Sequence, residues 1–129
     1  MKRLFLFLSI LFLFSTTVFA TPAVTLTNTV VQGQNAPNQS FHVQNSGGGA
    51  LAYSIVCGDT WVSLGTTFGG STAEKNLVIL KYNTATLAVG TYTSTITLAD
   101  PNANNSPQTV VVNLTVTAAP AASVFGVTP

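Results

Sequence analysis

Residues 91–98 read TYTSTITL, and the alternation of side chains in this stretch decides the fold class. Threonine occupies every second position from Thr91 to Thr97, and the residues between them are mostly larger and apolar. A period of two is typical of a β-strand, because successive side chains of a strand point to opposite faces. Residues 109–116, TVVVNLTV, repeat the pattern. The two segments together predict neighbouring strands of one sheet.

The rest of the chain reads as shorter strand-like segments separated by turns. Glycine-rich stretches at 46–50 and 68–72 are expected to be turns, since glycine adopts turn conformations at little steric cost. No segment has an apolar face at helical spacing. Further strand-like segments lie at 23–31, 40–45, 51–56, 61–64 and 76–83. The chain is therefore expected to be all-β, an antiparallel sandwich of about seven strands.

The first 20 residues have the pattern of a secretory signal peptide. Lys2 and Arg3 precede an apolar run at 4–14, and Val18 and Ala20 occupy the small-residue positions of a cleavage site. The run is short for a membrane span, which needs about 20 apolar residues, so an uncleaved anchor is the less favoured alternative. We expect cleavage after Ala20 and a product that is secreted, periplasmic or held at the cell surface.

The remaining chain is expected to contain one domain, at 21–117, with a linker, a tail or the start of a further module at 118–129. Two lysines against three acidic residues give residues 21–129 a net charge of −1. No basic surface follows from this composition, so neither nucleic acid nor an anionic membrane is an expected partner. Cys57 is the single cysteine, which excludes an internal disulfide and favours a partly buried thiol.

Residues 87–92, LAVGTY, directly precede the strongest strand signal. The spacing of Leu87, Gly90 and Tyr92 matches the tyrosine corner of Greek-key sandwiches, in which a phenol hydroxyl bonds back to the backbone. The spacing predicts that Tyr92 buries its ring and satisfies its hydroxyl at this corner. These three residues are therefore assigned a structural role.

Four segments in order resemble a BACON-type domain, an immunoglobulin-like module of secreted bacterial proteins. They are residues 41–55 (FHVQNSGGGALAYSI), 60–64 (TWVSL), 87–98 (LAVGTYTSTITL) and 105–117 (NSPQTVVVNLTVT). The segment TTFGGS at 66–71 departs from the Pro-x-Ser-Gly-like turn that family members often carry. The resemblance implies an immunoglobulin-like Greek-key sandwich with a binding or spacer role in exported, often glycan-active, proteins. It implies no fixed set of ligand residues.

Catalytic chemistry has little support in the sequence. Glycoside hydrolysis needs two placed carboxylates, and residues 21–129 offer only Asp59, Glu74 and Asp100. The single histidine, His42, is expected to be a solvated strand residue. Residues 100–108, DPNANNSPQ, resemble a calcium loop but lack its glycine and its bidentate glutamate, so they are interpreted as a hairpin loop. The protein is expected to be no enzyme and to have no cofactor or metal.

A glycan site would need exposed aromatic rings beside amide or hydroxyl groups. Three residues are the tentative ligand-binding candidates: Phe68 in a predicted turn, Tyr82 at the end of a strand apolar on both faces, and Trp61. Trp61 is expected to be a core residue whose ring edge can still show. The threonines at 91–97 could face a flat ligand, but a single strand of this kind is the ordinary solvated face of a sandwich.

We therefore predict a non-catalytic exported module that acts as a spacer or a protein-interaction domain at the cell surface. The alternative is carbohydrate binding, of a glycan or mucin, through loop aromatics. A remote alternative is an accessory fragment of a larger secreted glycan-active enzyme. The expected partner is a glycan or another extracellular protein or module. Any binding surface is expected in the loops beside Trp61 rather than on its ring face.

Overall fold

The computed structural model describes residues 24–127, so the predicted signal peptide at 1–20 lies outside the described residues. Within this part the chain consists of strands, turns and loops, without a helix. Its eight strands are β1 (Val24–Val31), β2 (Gln39–Gln44), β3 (Leu51–Cys57), β4 (Val62–Leu64), β5 (Phe68–Ser71), β6 (Lys75–Tyr82), β7 (Gly90–Ala99) and β8 (Gln108–Thr117). Residues 118–127 follow β8 as an exposed segment with neither strand nor helix. The described residues contain no helix long and apolar enough to cross a membrane.

The strands form two sheets, which pack face to face. One is five-stranded, in the order β1-β8-β7-β3-β5, and the other is three-stranded, in the order β2-β6-β4. The two strongest strand predictions, at 91–98 and 109–116, are β7 and β8, which pair along almost their whole length. The fold is an immunoglobulin-like β-sandwich, as expected.

Two details differ from the expected pattern. β1 pairs with β8 in parallel, with Val30 opposite Val116, whereas every other pair is antiparallel. A parallel pair needs a long crossover, and here the crossover contains all the strands in between. The segment beginning at Phe68 was expected to be a turn, but it is the edge strand β5. The reason is packing: the ring of Tyr53 on β3 lies directly over Gly69, the residue opposite it on β5.

The core lies between the sheets and follows the predicted inward faces. On β7 and β8 the inward residues are buried from Ser94 onward, and on β6 they alternate with exposed ones. The fully buried side chains are Val78, Leu80, Ile96, Leu114, Val112, Val116, Thr84 and Ser94. Burial shows which face of β6 is inward, a choice that its apolar sequence leaves open. Tyr82 points inward, and Leu77 and Ile79 point outward.

Candidate functional site

Three aromatic residues close one end of the sandwich, which we call the aromatic end: Trp61, Tyr82 and Tyr92. Trp61 is 8% exposed and Tyr82 is 6% exposed. The Trp61 ring stacks on Tyr82 with centroids 6.3 Å apart and meets Tyr92 edge-on at 6.2 Å. These are the separations at which aromatic pairs attract beyond their buried area. Neither Trp61 nor Tyr82 presents a ring face to solvent, so of the three predicted ligand-binding residues only Phe68 is exposed, by 76%.

The two tyrosine hydroxyls at the aromatic end are both used inside the fold. The hydroxyl of Tyr82 donates a hydrogen bond to Oε1 of Gln39 at 2.7 Å, and burial raises the pKa of Tyr82 to about 12. The hydroxyl of Tyr92 donates to the carbonyl of Ala88 at 3.0 Å, four residues upstream, which is the geometry of a tyrosine corner. Leu87 packs against the core and Gly90 begins β7. The aromatic end is thus held together by its own polar groups.

Thr84 and Asn35 brace the same end, although neither is among the residues that the sequence pattern singles out. Thr84 is fully buried; its hydroxyl accepts a hydrogen bond from the Ala36 amide at 2.9 Å and donates one to the carbonyl of Gln34 at 3.0 Å. Oδ1 of Asn35 accepts the amides of Thr84 and Ala85 at 2.8 and 3.0 Å. The signal that could have found them is a polar residue in each of two turn-like segments, but the two residues are 49 positions apart.

A cleft of 390 Å³ lies at the opposite end of the sandwich, and we call it the loop cleft. Leu98 of β7 lines it, six residues along the strand from Tyr92. At about 3.4 Å per residue this separates the cleft from the aromatic end by about 20 Å. Its volume falls within the usual range of small-molecule sites. A second hollow of about 310 Å³ adjoins the Trp61 segment, with Cys57, Val62 and Leu64 in its lining, so a binding surface beside Trp61 stays a prediction. We take the loop cleft as the candidate site because its lining carries many more polar side chains.

The loop cleft has an apolar floor and an amide-rich rim. The floor consists of Val43, Leu51, Tyr53 and Leu98. The rim comes from the loops at 45–50 and 100–107 and from the strand ends beside them. Its amide and hydroxyl side chains are Gln44, Asn45, Ser46, Asn102, Asn104, Asn105, Ser106 and Gln108. An apolar surface with a few directed polar groups is the usual composition of a binding site. Such groups suit an uncharged polar ligand or an extended peptide.

Asp100 ties the loop at 100–107 to β3, beside the loop at 45–50. Its side chain is 3% exposed, with Oδ2 accepting the Ala52 amide at 2.7 Å and Oδ1 accepting the Asn102 amide at 2.8 Å. These bonds, that from Ala52 foremost, lower the pKa of Asp100. The carboxylate is therefore a clamp between β3 and the loop that follows β7. The local sequence predicts a turn residue at Asp100 but not its bond to the Ala52 amide, which lies 48 positions away.

The loop at 45–50 is braced in the same way by its own side chains. Oδ1 of Asn45 accepts the Gly47 amide at 3.0 Å, and its Nδ2 donates to the carbonyl of Gly49 at 3.0 Å. Gly49 has a φ of 81°, a left-handed conformation that glycine adopts without strain. By contrast, the side chains of Asn102, Asn104 and Asn105 make no hydrogen bond within residues 24–127 and are exposed. These three amides are available to a ligand without breaking the scaffold.

The other chemically capable residues do not converge on the cleft floor. Oε2 of Glu74 accepts the amides of Thr72 and Ala73, and these backbone bonds, that from Ala73 foremost, lower the pKa of Glu74 to about 2. His42 is exposed on β2, and Sγ of Cys57 lies 3.3 Å from the hydroxyl of Ser94. The described part of the chain holds no cluster of three potential metal ligands.

Comparison with known proteins supports the fold and leaves the family open. No protein-family model matches the chain, and no curated protein matches its sequence. Among solved structures, the chain is similar to a Bacteroides ovatus GH5 xyloglucanase in complex with a XXXG heptasaccharide, with a TM-score of 0.55 and 16% identity over 76% of this chain. The chain spans only 18% of the length of that enzyme.

Two further similarities involve whole small domains. The PapD-like domain 7 of human CEP192 matches with a TM-score of 0.52 and 12% identity, over 76% of this chain and 82% of that domain. SSP-19 of Caenorhabditis elegans, an MSP-domain protein like family member, matches with a TM-score of 0.46 and 14% identity, over 70% and 94%. At these identities the likeness is one of fold.

Proposed function

We propose that the chain is exported and serves as a BACON-type spacer or protein-interaction module at the cell surface. The observation that carries the non-catalytic part is the use of the carboxylates. Asp100 and Glu74 both accept backbone amides, and both have lowered pKa values. A general acid in sugar hydrolysis needs the opposite, a carboxyl whose pKa is raised so that it carries a proton near neutral pH.

Export is supported by the sequence pattern of residues 1–20. The experiment is expression of the full chain in a bacterial host, followed by fractionation and mass spectrometry of the N-terminus. We expect a mature protein that begins at Thr21, in the periplasmic, surface or medium fraction. A full-length product that keeps Met1 in the cytoplasm would overturn the export proposal.

Glycan binding is the second candidate function, and the loop cleft is the observation that favours it. Its rim amides are the groups that hydrogen-bond sugar hydroxyls, and its floor is apolar. The cleft has no exposed aromatic ring at its rim among the described residues; the exposed Phe68 lies on the outer face of β5. Carbohydrate recognition through Phe68 and recognition through the cleft are therefore separable.

A glycan array with the mature chain and two variants separates these cases. Replacing Asn102, Asn104 and Asn105 together with alanine removes the three exposed amides of the cleft that have no side-chain hydrogen bond, whereas Phe68→Ala removes the exposed ring. Loss of array binding in the amide variant alone assigns the glycan to the cleft. Loss in the Phe68 variant alone assigns it to β5. An array on which the unmodified chain binds nothing leaves the spacer or protein-interaction role as the function and rejects the glycan alternative.

A further inference from the structure

The outer face of the three-stranded sheet carries an apolar centre. On its middle strand β6, Leu77 is 51% exposed and Ile79 is 41% exposed, while Val78 and Leu80 are buried in the core. The solvated face of an antiparallel sheet is normally polar, so two aliphatic residues at the middle of one are unusual. Tertiary packing inside the domain does not require them, because they point away from it. We call the surface formed by Lys75, Leu77, Ile79 and Lys81 the β6 face.

Positive charge lies at both ends of this apolar centre. Lys75 and Lys81 are the only lysine or arginine residues after position 3, and both fall on the β6 face. They lie six residues apart on the strand, which at about 3.4 Å per residue places their Cα atoms about 20 Å apart. An apolar centre with a charged rim is the usual anatomy of a protein interface. Glu74 does not neutralise the face, since its carboxylate turns back to the amides of Thr72 and Ala73.

The neighbouring strands add only small or uncharged groups. His42 on β2 stands opposite Leu77, and Ser63 on β4 stands opposite Lys81. A second copy of this chain does not complement the face. Stacking two β6 strands across a two-fold axis would bring lysine against lysine in either strand direction, because positive charge lies at both ends.

From this pattern we propose that the β6 face docks an acidic partner protein, whose apolar side chains cover Leu77 and Ile79 and whose carboxylates pair with Lys75 and Lys81. The inference rests on the proposed interaction role, but neither on export nor on the loop cleft. The two lysines are at the rim, where charge acts chiefly on the association rate, on selectivity and on salt dependence. The aliphatic pair supplies the buried area.

The test uses a peptide probe matched to the face and its charge-reversed counterpart. The peptide ESVSVSE, acetylated and amidated, places its glutamates at the spacing of the two lysines and its valines between them; the control is KSVSVSK. Each is titrated into the ¹⁵N-labelled mature chain and followed by amide chemical shifts. We expect shifts confined to β2, β4 and β6, with a dissociation constant about tenfold lower for the glutamate peptide.

The double charge reversal K75E/K81E is the matched variant, because both side chains are exposed and the fold is expected to be retained, which circular dichroism checks. It is expected to bind KSVSVSK more tightly than ESVSVSE, which reverses the preference of the unmodified chain. A preference that does not reverse, shifts that fall outside the three strands, or no shift with either peptide would overturn the proposal. So would binding to phosphatidylcholine vesicles containing phosphatidylglycerol that is lost in K75E/K81E, since the face would then serve a membrane.

Failure of this test is distinguishable from failure of the proposed function. The N-terminal mass and cell fraction of the product report export, and the glycan array reports the cleft; neither measurement depends on Lys75 or Lys81. A chain that is exported but shows no peptide preference would retain its interaction or spacer role and lose only the assignment of the β6 face.

Discussion

The two ends of the sandwich use polar groups for opposite purposes. At the aromatic end, hydroxyls such as that of Tyr82 donate hydrogen bonds to partners within the fold, and the Tyr82 ring is buried. At the loop cleft, the Asp100 carboxylate likewise accepts hydrogen bonds within the fold, but the side-chain amides of Asn102 and Asn104 extend into solvent. The difference indicates that the polar groups of the aromatic end belong to the scaffold, while the loop cleft keeps some amides free for a ligand.

The largest expected effect comes from Trp61→Ala at the aromatic end. Removal of a buried indole that contacts two tyrosines leaves a cavity, and such truncations cost about 3–5 kcal/mol of unfolding free energy. Urea denaturation followed by circular dichroism measures it. Phe68→Ala is the control, since that ring is 76% exposed and its loss is expected to cost no more than about 0.5 kcal/mol. Equal costs for the two variants would contradict a structural role for Trp61.

Gly69→Ala tests the floor of the loop cleft and is expected to have the next largest effect. A Cβ at Gly69 would lie 2.6 Å from Cζ of Tyr53, so the ring must move, at a cost of about 1–3 kcal/mol. The matched control is Gly48→Ala, where a Cβ meets nothing within 4 Å. If Gly69→Ala were as stable as Gly48→Ala, the packing of Tyr53 over β5 would be wrong.

Tyr92→Phe sharpens the account of the aromatic end. The ring and its contact with Trp61 remain, and only the hydrogen bond to the Ala88 carbonyl is lost. We expect the unfolding free energy to fall by about 0.5–1.5 kcal/mol, the usual contribution of one such bond. A calorimetric comparison with the unmodified chain measures it. An unchanged unfolding free energy would mean that the corner hydrogen bond contributes nothing.

A change of pH is expected to act on the two ends separately. The pKa of Glu74 falls from 4.5 to about 2 on folding, and that of Asp100 is also lowered. A carboxylate with a lowered pKa stabilises the fold above its unfolded-state pKa, and this contribution is lost as the pH falls through the folded-state value. For Glu74 that window runs from pH 4.5 to pH 2. Tyr82 behaves in the opposite way: its stabilisation is complete below pH 10.0 and is lost as the pH rises towards 12.

Urea midpoints measured across the pH range check this separation. Asp100→Asn and Glu74→Gln should each flatten the acid limb and leave the alkaline limb unchanged, and Tyr82→Phe should do the reverse. A Tyr82→Phe variant with an unaltered alkaline limb would show that this hydroxyl is not the group that titrates.

The smallest effect on stability is expected for the exposed amides of the cleft. Asn102→Ala and Asn104→Ala remove side chains without partners among the described residues, so each should change the unfolding free energy by no more than about 0.5 kcal/mol. Thermal denaturation measures this change. A cost above about 1 kcal/mol would mean that these amides belong to the scaffold, as Asp100 does.

The fold was predictable because its strongest signals are local. Alternation at 91–98 places Ile96 and Leu98 on one face by geometry alone, and the structure buries both. The outward position of Leu77 was not predictable, because residues 77–80 are all apolar and no alternation with polar residues marks the outer face. The sequence predicts a turn where β5 lies, because its two glycines weaken the strand signal. The Tyr53 ring on β3, which packs over Gly69, favours the strand instead.

The candidate site was less predictable than the fold because it depends on distant pairings. The loop cleft forms where two loops about 50 residues apart in sequence meet, and Asp100 joins the second loop to β3 through the Ala52 amide. Local sequence shows that each loop is a turn but not that the two are neighbours. Cys57 and Trp61, the sole cysteine and the sole tryptophan, lie four positions apart, and burial of the indole shows that Trp61 serves packing.

The emission spectrum of the sole tryptophan, with acrylamide quenching, tests most directly the claim that Trp61 belongs to the closed core. The account predicts a blue-shifted maximum in the native mature chain, with quenching much weaker than in the same chain unfolded in urea, because the indole is 8% exposed. A native maximum at the wavelength of the unfolded chain, with equal quenching, would place the ring in water and contradict the account.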